Sequence, residues 1–193
     1  LHVEHVPMFG GLSQYNTANV VLSVHETLAL SLSWIRLGVD DIPRYGTLRG
    51  SRFDRLTQKQ YRSSGEPEGT FQDTEDAVML SLSRTHYYDL YLGGGHNSLL
   101  VPFELSYGVT AKMIQHRLDQ STGTGQGVDA GVRLRLTSIE QERTGEPGTW
   151  LALGAVFRDL TQTRLVWDTQ SEYKDQLPRS LQAGVAASTV WPA

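Results

Sequence analysis

The sequence predicts an all-β protein, an antiparallel sheet in the form of a transmembrane β-barrel, on three observations. Apolar residues recur at every second position over runs of eight to eleven residues. Glycine is abundant, at 19 of 193 residues, and no cysteine is present. Alternation of this kind gives one apolar and one polar face, which by itself suits a soluble β-sandwich as well as a membrane barrel. Runs of about ten residues favour the barrel, because globular strands average about five to six. Aromatic residues also gather near the ends of the runs, at Trp34, Tyr87, Tyr88, Tyr91, Trp150, Trp167 and Trp191, as in interfacial girdles.

The first two strands are expected at 15–24 and 27–39, with room only for a tight turn between them; an amphipathic helix over 19–32 is the alternative. In the second strand Leu28, Leu30, Leu32 and Trp34 hold one phase, and Ile35, Leu37 and Val39 hold the other. That flip predicts a β-bulge near Trp34. A third strand at 77–86 carries Val78, Leu80 and Leu82. The fourth, at 103–115, sets Phe103, Leu105, Tyr107, Val109, Ala111 and Met113 against Glu104 and Lys112. The fifth, at 128–137, sets Ala130, Val132, Leu134 and Leu136 against Asp129, Arg133 and Arg135. The sixth and seventh follow at 150–159, with Leu151, Leu153, Ala155 and Phe157, and at 180–190, with Leu181, Ala183 and Val185. These are about seven strands of a larger barrel, in a single domain over 1–193. Single-chain bacterial barrels hold an even number of strands, at least about eight. Further strands are therefore expected from the rest of the polypeptide, or otherwise from another chain.

The connections are unequal. Residues 40–76 form a long charged loop, extracellular in a barrel, with Asp40 and Asp41 as the turn that stops the preceding strand. Residues 119–127 read as a flexible Gly/Ser/Thr loop. Residues 138–149 carry the turn signal Gly145-Glu146-Pro147-Gly148. Residues 89–102, with Gly93-Gly94-Gly95, are longer than an ordinary hairpin turn.

Composition excludes several function classes. Seventeen Lys and Arg against 21 Asp and Glu leave a net charge of −4, without the basic footprint of a nucleic-acid binder. Without cysteine there is no disulfide, thiolate metal site or cysteine nucleophile. Residues 5–25 lack Asp, Glu, Lys and Arg, but polar residues throughout them rule out a membrane helix. Leu1 is followed by no signal-peptide pattern, so any leader is expected to be removed or to lie outside this sequence.

No catalytic residue, metal site or cofactor is expected. His2, Glu4 and His5 read as solvated side chains, since ligation needs three or four convergent groups. Gly93-Gly94-Gly95 lacks the Lys and Ser/Thr of a P-loop. His96 and Ser98 have no orienting acid in view, and there is no GxSxG. Two sets of residues stand out as binding candidates. Glu104, Lys112, Asp129, Arg133, Arg135 and Arg158 occupy the polar phase of their strands and are expected to face the lumen, with acids and bases paired across strands. Arg44, Arg49, Arg52, Arg55, Lys59 and Arg62 stand against the single acid Asp54, a basic loop suited to lipopolysaccharide or an acidic partner.

Six segments in order resemble one family. They are Leu32-Ser33-Trp34-Ile35-Arg36-Leu37-Gly38-Val39-Asp40-Asp41-Ile42-Pro43, the Ser-rich strand at 77–84, Tyr107-Gly108-Val109-Thr110-Ala111-Lys112-Met113-Ile114, Gly127-Val128-Asp129-Ala130-Gly131-Val132-Arg133, Leu153-Gly154-Ala155-Val156-Phe157-Arg158-Asp159-Leu160 and Leu177-Pro178-Arg179-Ser180-Leu181-Gln182-Ala183-Gly184-Val185-Ala186. Together they resemble the middle of the PorV/PorQ-type outer-membrane proteins, relatives of the long-chain fatty-acid transporter FadL. The resemblance implies a non-enzymatic barrel in a bacterial outer membrane, in contact with lipid, lipopolysaccharide and other envelope proteins. It implies a role in type IX secretion, or alternatively a FadL-like channel for hydrophobic solutes. A soluble β-sandwich binding module is the reading from another class.

Overall fold

The computed structural model describes residues 1–61, 65–93, 99–137, 149–169 and 173–189. It is almost entirely antiparallel sheet: β1 (His2–Met8), β2 (Ser13–His25), β3 (Leu28–Arg44), β4 (Gly69–Leu92), β5 (Leu99–Leu118), β6 (Ser121–Thr137), β7 (Trp150–Arg158), β8 (Arg164–Trp167), β9 (Lys174–Gln176) and β10 (Ser180–Ser188). A short helix, α1 (Arg52–Thr57), lies between β3 and β4. The sheet is a meander in the order β1-β2-β3-β4-β5-β6-β7-β10, with the small strands β8 and β9 attached beside β6. It is not closed: among the described residues β1 pairs only with β2, and β10 only with β7.

Several expectations change. The meander has an additional strand, β1, whose His-Val-Glu-His-Val-Pro sequence carries no apolar alternation and which tolerates Pro7 because it lies at an edge. No bulge sits near Trp34, since β3 pairs with β4 in unbroken register from Leu28 to Val39. The phase flip marks a change in which face carries the apolar residue, so Ile35, Leu37 and Val39 lie on the polar side. The register breaks instead between Val39 and Ile42, where Asp41 takes φ 55°. Asp40 and Asp41 therefore bend the strand without ending it, and the loop expected at 40–76 shrinks to 45–68. The strands expected at 15–24 and 27–39 are present as β2 and β3, joined by a two-residue turn, and the alternative helix over 19–32 is not. Residues 121–127 are strand as well, because a two-residue turn, with Asp119 at φ 54°, starts β6 at Ser121. The Gly145-Glu146-Pro147-Gly148 turn, Gly94, Gly95, His96, Ser98 and Trp191 lie outside the described residues.

Residues opposite each other in register share a face, so the ladders assign every side chain. One face carries apolar rows, such as Leu22–Leu30–Leu82–Val109–Ala130–Phe157–Leu181. It stays uncovered: Leu80 is 51% exposed, Val109 47%, Leu153 43% and Val185 72%. Among the described residues Leu165 is the one large apolar side chain that is buried. The opposite face is small and polar at its centre, with Ser31, Ser81 and Thr110 in one row and Ser83, Gly108 and Gly131 in the next.

The apolar rows form a slanted band. A polar row, Asn16–Arg36–Asp76–Gln115–Thr124, closes it on one side. On β3 the band runs from Leu28 to Trp34, rows that meet β5 at Tyr107 and Met113. On β7 it runs from Leu151 to Phe157, rows that meet β5 at Phe103 and Val109. Both borders therefore climb four residues, roughly 13 Å, over four strand spacings, roughly 19 Å. The slant is about 35° to the rows, the tilt of strands in membrane barrels being about 35–45°.

Residues 159–167 fold back over the polar face. Thr163 and Leu165 are buried there against Gly127 and Gly123 of β6. A Cβ at Gly125 would lie 2.8 Å from the Arg164 carbonyl oxygen, a backbone atom that cannot yield. Gly125→Ala is expected to detach β8 at a cost of about 1–3 kcal/mol, opening 159–169 to limited proteolysis. Gly184→Ala, with nothing within 4 Å, should leave cleavage unchanged. Equal cleavage in both variants would show that this segment does not rest on β6.

Candidate functional site

The polar face gathers the expected charges. Glu104, Lys112, Asp129, Arg133, Arg135 and Arg158 all fall on it, and acids pair with bases across strands. Arg135 stands 3.6 Å and Arg133 3.8 Å from Glu104. The Arg135 guanidinium also lies 5.3 Å from the centre of the Trp150 ring. Arg158 follows the last apolar residue of β7, next to Asp159, and makes no ion pair among the described residues.

The centre of the face is a three-residue cluster. Lys112 Nζ lies 2.8 Å from Asp129 Oδ1 and 2.8 Å from Asp159 Oδ1, and the Lys112 and Asp159 side chains are 9% and 8% exposed. Asp129 Oδ1 also accepts the Asp159 backbone N–H at 2.8 Å. Asp159 sits at φ 58°, where the chain leaves β7 to cross the sheet. Its side chain escaped the sequence reading because it lies just beyond the alternating run. The ammonium, engaged by both carboxylates, ties β5, β6 and the crossing segment together and is no free nucleophile. Beside it runs a groove of about 760 Å³ lined by polar residues such as Ser81, Thr110 and Arg133 and by apolar ones such as Ile35, Met79 and Ile114. Ser81 and Thr110 hydroxyls share a hydrogen bond of 2.8 Å, as do those of Thr85 and Ser106 at 3.0 Å.

The described basic residues divide between a strand and a loop. Arg44 belongs to β3 and pairs with Asp119 at the β5–β6 turn, its guanidinium near the Phe71 ring. Arg55 donates to the Gly50 carbonyl at 2.6 Å. Arg49, Arg52 and Lys59 are exposed, and Arg62 lies outside the described residues. The helix among them is held by a capping box between Ser51 and Asp54. The Ser51 hydroxyl, and after it the Ser51 amide, keep the Asp54 carboxyl below its usual range.

Both borders of the apolar band carry aromatic or paired polar groups. Trp34 Nε1 donates to Asp76 at 3.0 Å, and Arg36 makes two bonds to the same carboxylate, at 2.8 and 2.9 Å. At the other border Tyr88 stacks on Phe103 at 5.1 Å and His86 on Tyr107 at 5.7 Å.

The histidines at the start of the chain do not converge. His2 Nε2 is 3.6 Å from Glu4, whereas His5 points to the other face and bonds Asn16 at 2.6 Å. A different group does converge: Asp73, Glu75 and His116 place one donor atom each within 4.8 Å of one another. Their expected place in a loop, for the two acids, hid that they share a strand face.

The fold and this face define a class, an all-β antiparallel sheet with one uncovered apolar face and one polar, charge-paired face. Comparison with protein-family models, curated proteins and solved structures finds no match.

Lys112→Met would leave Asp129 and Asp159 facing each other without a cation. The expected loss is about 3–5 kcal/mol in denaturant unfolding. Glu104→Gln, at a pair where Arg133 is 55% exposed, should cost less than about 1 kcal/mol. Equal losses would mean that the cluster does not fasten the sheet.

Proposed function

We propose that this chain is part of the wall of a bacterial outer-membrane β-barrel of the PorV type, without enzymatic activity, which holds partner proteins of the envelope in type IX secretion. The observation that carries the reading is the slanted, uncovered apolar band. A soluble sandwich would bury those side chains under a second sheet, and among the described residues no layer covers them. Lipid covers such a face at no cost, and the slant of about 35° is the tilt that a barrel strand takes to the membrane normal. Trp34 at one border and Tyr88 and Phe103 at the other suit the interfacial girdles.

The two open edges belong to the proposal. An unpaired backbone group in lipid costs several kcal/mol, so the sheet enters a membrane only when further strands, of this polypeptide or of another chain, complete the ring. The paired charges and hydroxyls at the centre of the polar face suit a protein partner, while Ile35, Met79, Ile114 and Leu177 beside them keep a channel for hydrophobic solutes as the alternative. The basic loop also favours a protein partner. Arg44 is ten residues beyond Trp34, about 30 Å along the strand, so the loop stands clear of phosphates at headgroup depth.

Two neighbouring substitutions test the assigned faces. Leu134→Arg puts a charge into hydrocarbon and should cost about 2–4 kcal/mol near the midplane, seen as loss of the folded, heat-modifiable species from outer-membrane fractions. Arg133→Leu, one residue away on the polar face, should retain that species. Equal loss, the reverse order, or release of the parent protein from membranes without detergent would overturn the reading.

A further inference from the structure

We propose that Asp73, Glu75 and His116 form a binding site for a divalent transition-metal ion of the zinc class. The site is independent of the barrel reading, since it stands on one side of two strands whatever covers the other. Glu75 and His116 are direct partners in the β4–β5 ladder, and Asp73 is two residues earlier on the same face. His116 Nε2 lies 2.7 Å from Asp73 Oδ1 and 3.7 Å from Glu75 Oε1. Zinc bonds imidazole nitrogen and carboxylate oxygen at about 2.0–2.2 Å, so a tetrahedral ion separates its donor atoms by roughly 3.4 Å. Side-chain adjustments of about an ångström bring all three donors onto one ion, with water as the fourth ligand.

Two further features bear on the site. The imidazole is fixed from behind: Gly123 is its partner on β6, and Trp167 folds over that glycine and packs on the His116 ring at 5.0 Å. The edge carrying Nε2 is thereby turned to the two carboxylates. His116 hydrogen-bonds Asp73, and the second carboxylate, Glu75, lies within 4.8 Å with no Lys or Arg ion pair among the described residues. A divalent ion neutralises both acids at once, whereas a single proton cannot. The row holding Glu75 and His116 lies next to the polar row of Asp76, outside the apolar band, and Glu75 is 53% exposed, so ions and water reach it. One nitrogen with two oxygens suits Zn²⁺, Co²⁺ or Ni²⁺ better than the all-oxygen sets of Ca²⁺ and Mg²⁺.

The test is titration of the whole protein, in detergent, with Zn²⁺ by calorimetry, and with Ni²⁺ while following tryptophan emission. One saturable site is expected, with quenching that disappears in Trp167→Phe although Zn²⁺ still binds. Losing a supporting partner of a ligand costs 10–100-fold in affinity, so His116→Gln should weaken Zn²⁺ binding by at least about tenfold. Asp73→Asn should do the same; its carboxylate is 30% exposed, which makes the change tolerable should His116→Gln fail to fold. Binding should survive in a His2→Gln, His5→Gln double variant. Absence of saturable binding, or loss only when His2 and His5 are changed, would overturn the proposal.

Discussion

The ladder between β4 and β5 is the constraint on which the rest depends. It runs without a break from Asp73 opposite Leu118 to Leu92 opposite Leu99. Because side chains alternate with period two, sliding this register by one residue would exchange the two faces of either strand. Val78, Leu80 and Leu82 would then lie beside Lys112 and Thr110, and the apolar band would be broken at its middle. The short turn at 119–120 carries the same register outward to β6, and the β3–β4 ladder, with the short turn at 26–27, carries it through β3 to β2. Where the ladders stop, at β1 and β10, so does the means of satisfying backbone groups.

The alternating strands were legible in the sequence because one face is apolar and the other is not. Runs such as that from Phe103 to Met113 required no tertiary knowledge, and the charged residues of the polar face followed from the opposite phase. What was not legible had a different physical origin in each case. β1 takes its structure from pairing with β2 rather than from its own side chains. The glycines at 123, 125 and 127 look like a linker in sequence. They are strand residues whose missing Cβ atoms admit Thr163 and Leu165, and only the folded chain shows what they make room for. Asp159 and His116 reach their partners across strands, by contacts that no local pattern records.

The face that carries the charges is also where the sheet has its small core. With Leu165 as the one buried large apolar side chain among the described residues, the sheet is held together by hydrogen-bond ladders and by the Lys112 cluster more than by packing. Its polar groups therefore do structural work that an interior performs elsewhere. The crossing segment from Asp159 to Leu165 lays a second layer on the sheet, and it meets β6 through glycines. The Leu177 N–H completes this attachment by donating to the Thr163 carbonyl at 2.9 Å.

The slant of the apolar band sets a geometric rule for any ring built from this sheet. A climb of four residues over four strands is one residue per strand, so a complete circuit of strands returns to its start displaced by as many residues as there are strands. That stagger and the strand number together determine the width of a cylinder. With the stagger tied to the number, the bore grows with each strand added while the inclination stays constant. Whatever completes β1 and β10 must supply both a matching count and a matching offset. A partner edge with the right hydrogen bonds but the wrong offset would leave the apolar rows stepped at the seam, with charged rows set beside them.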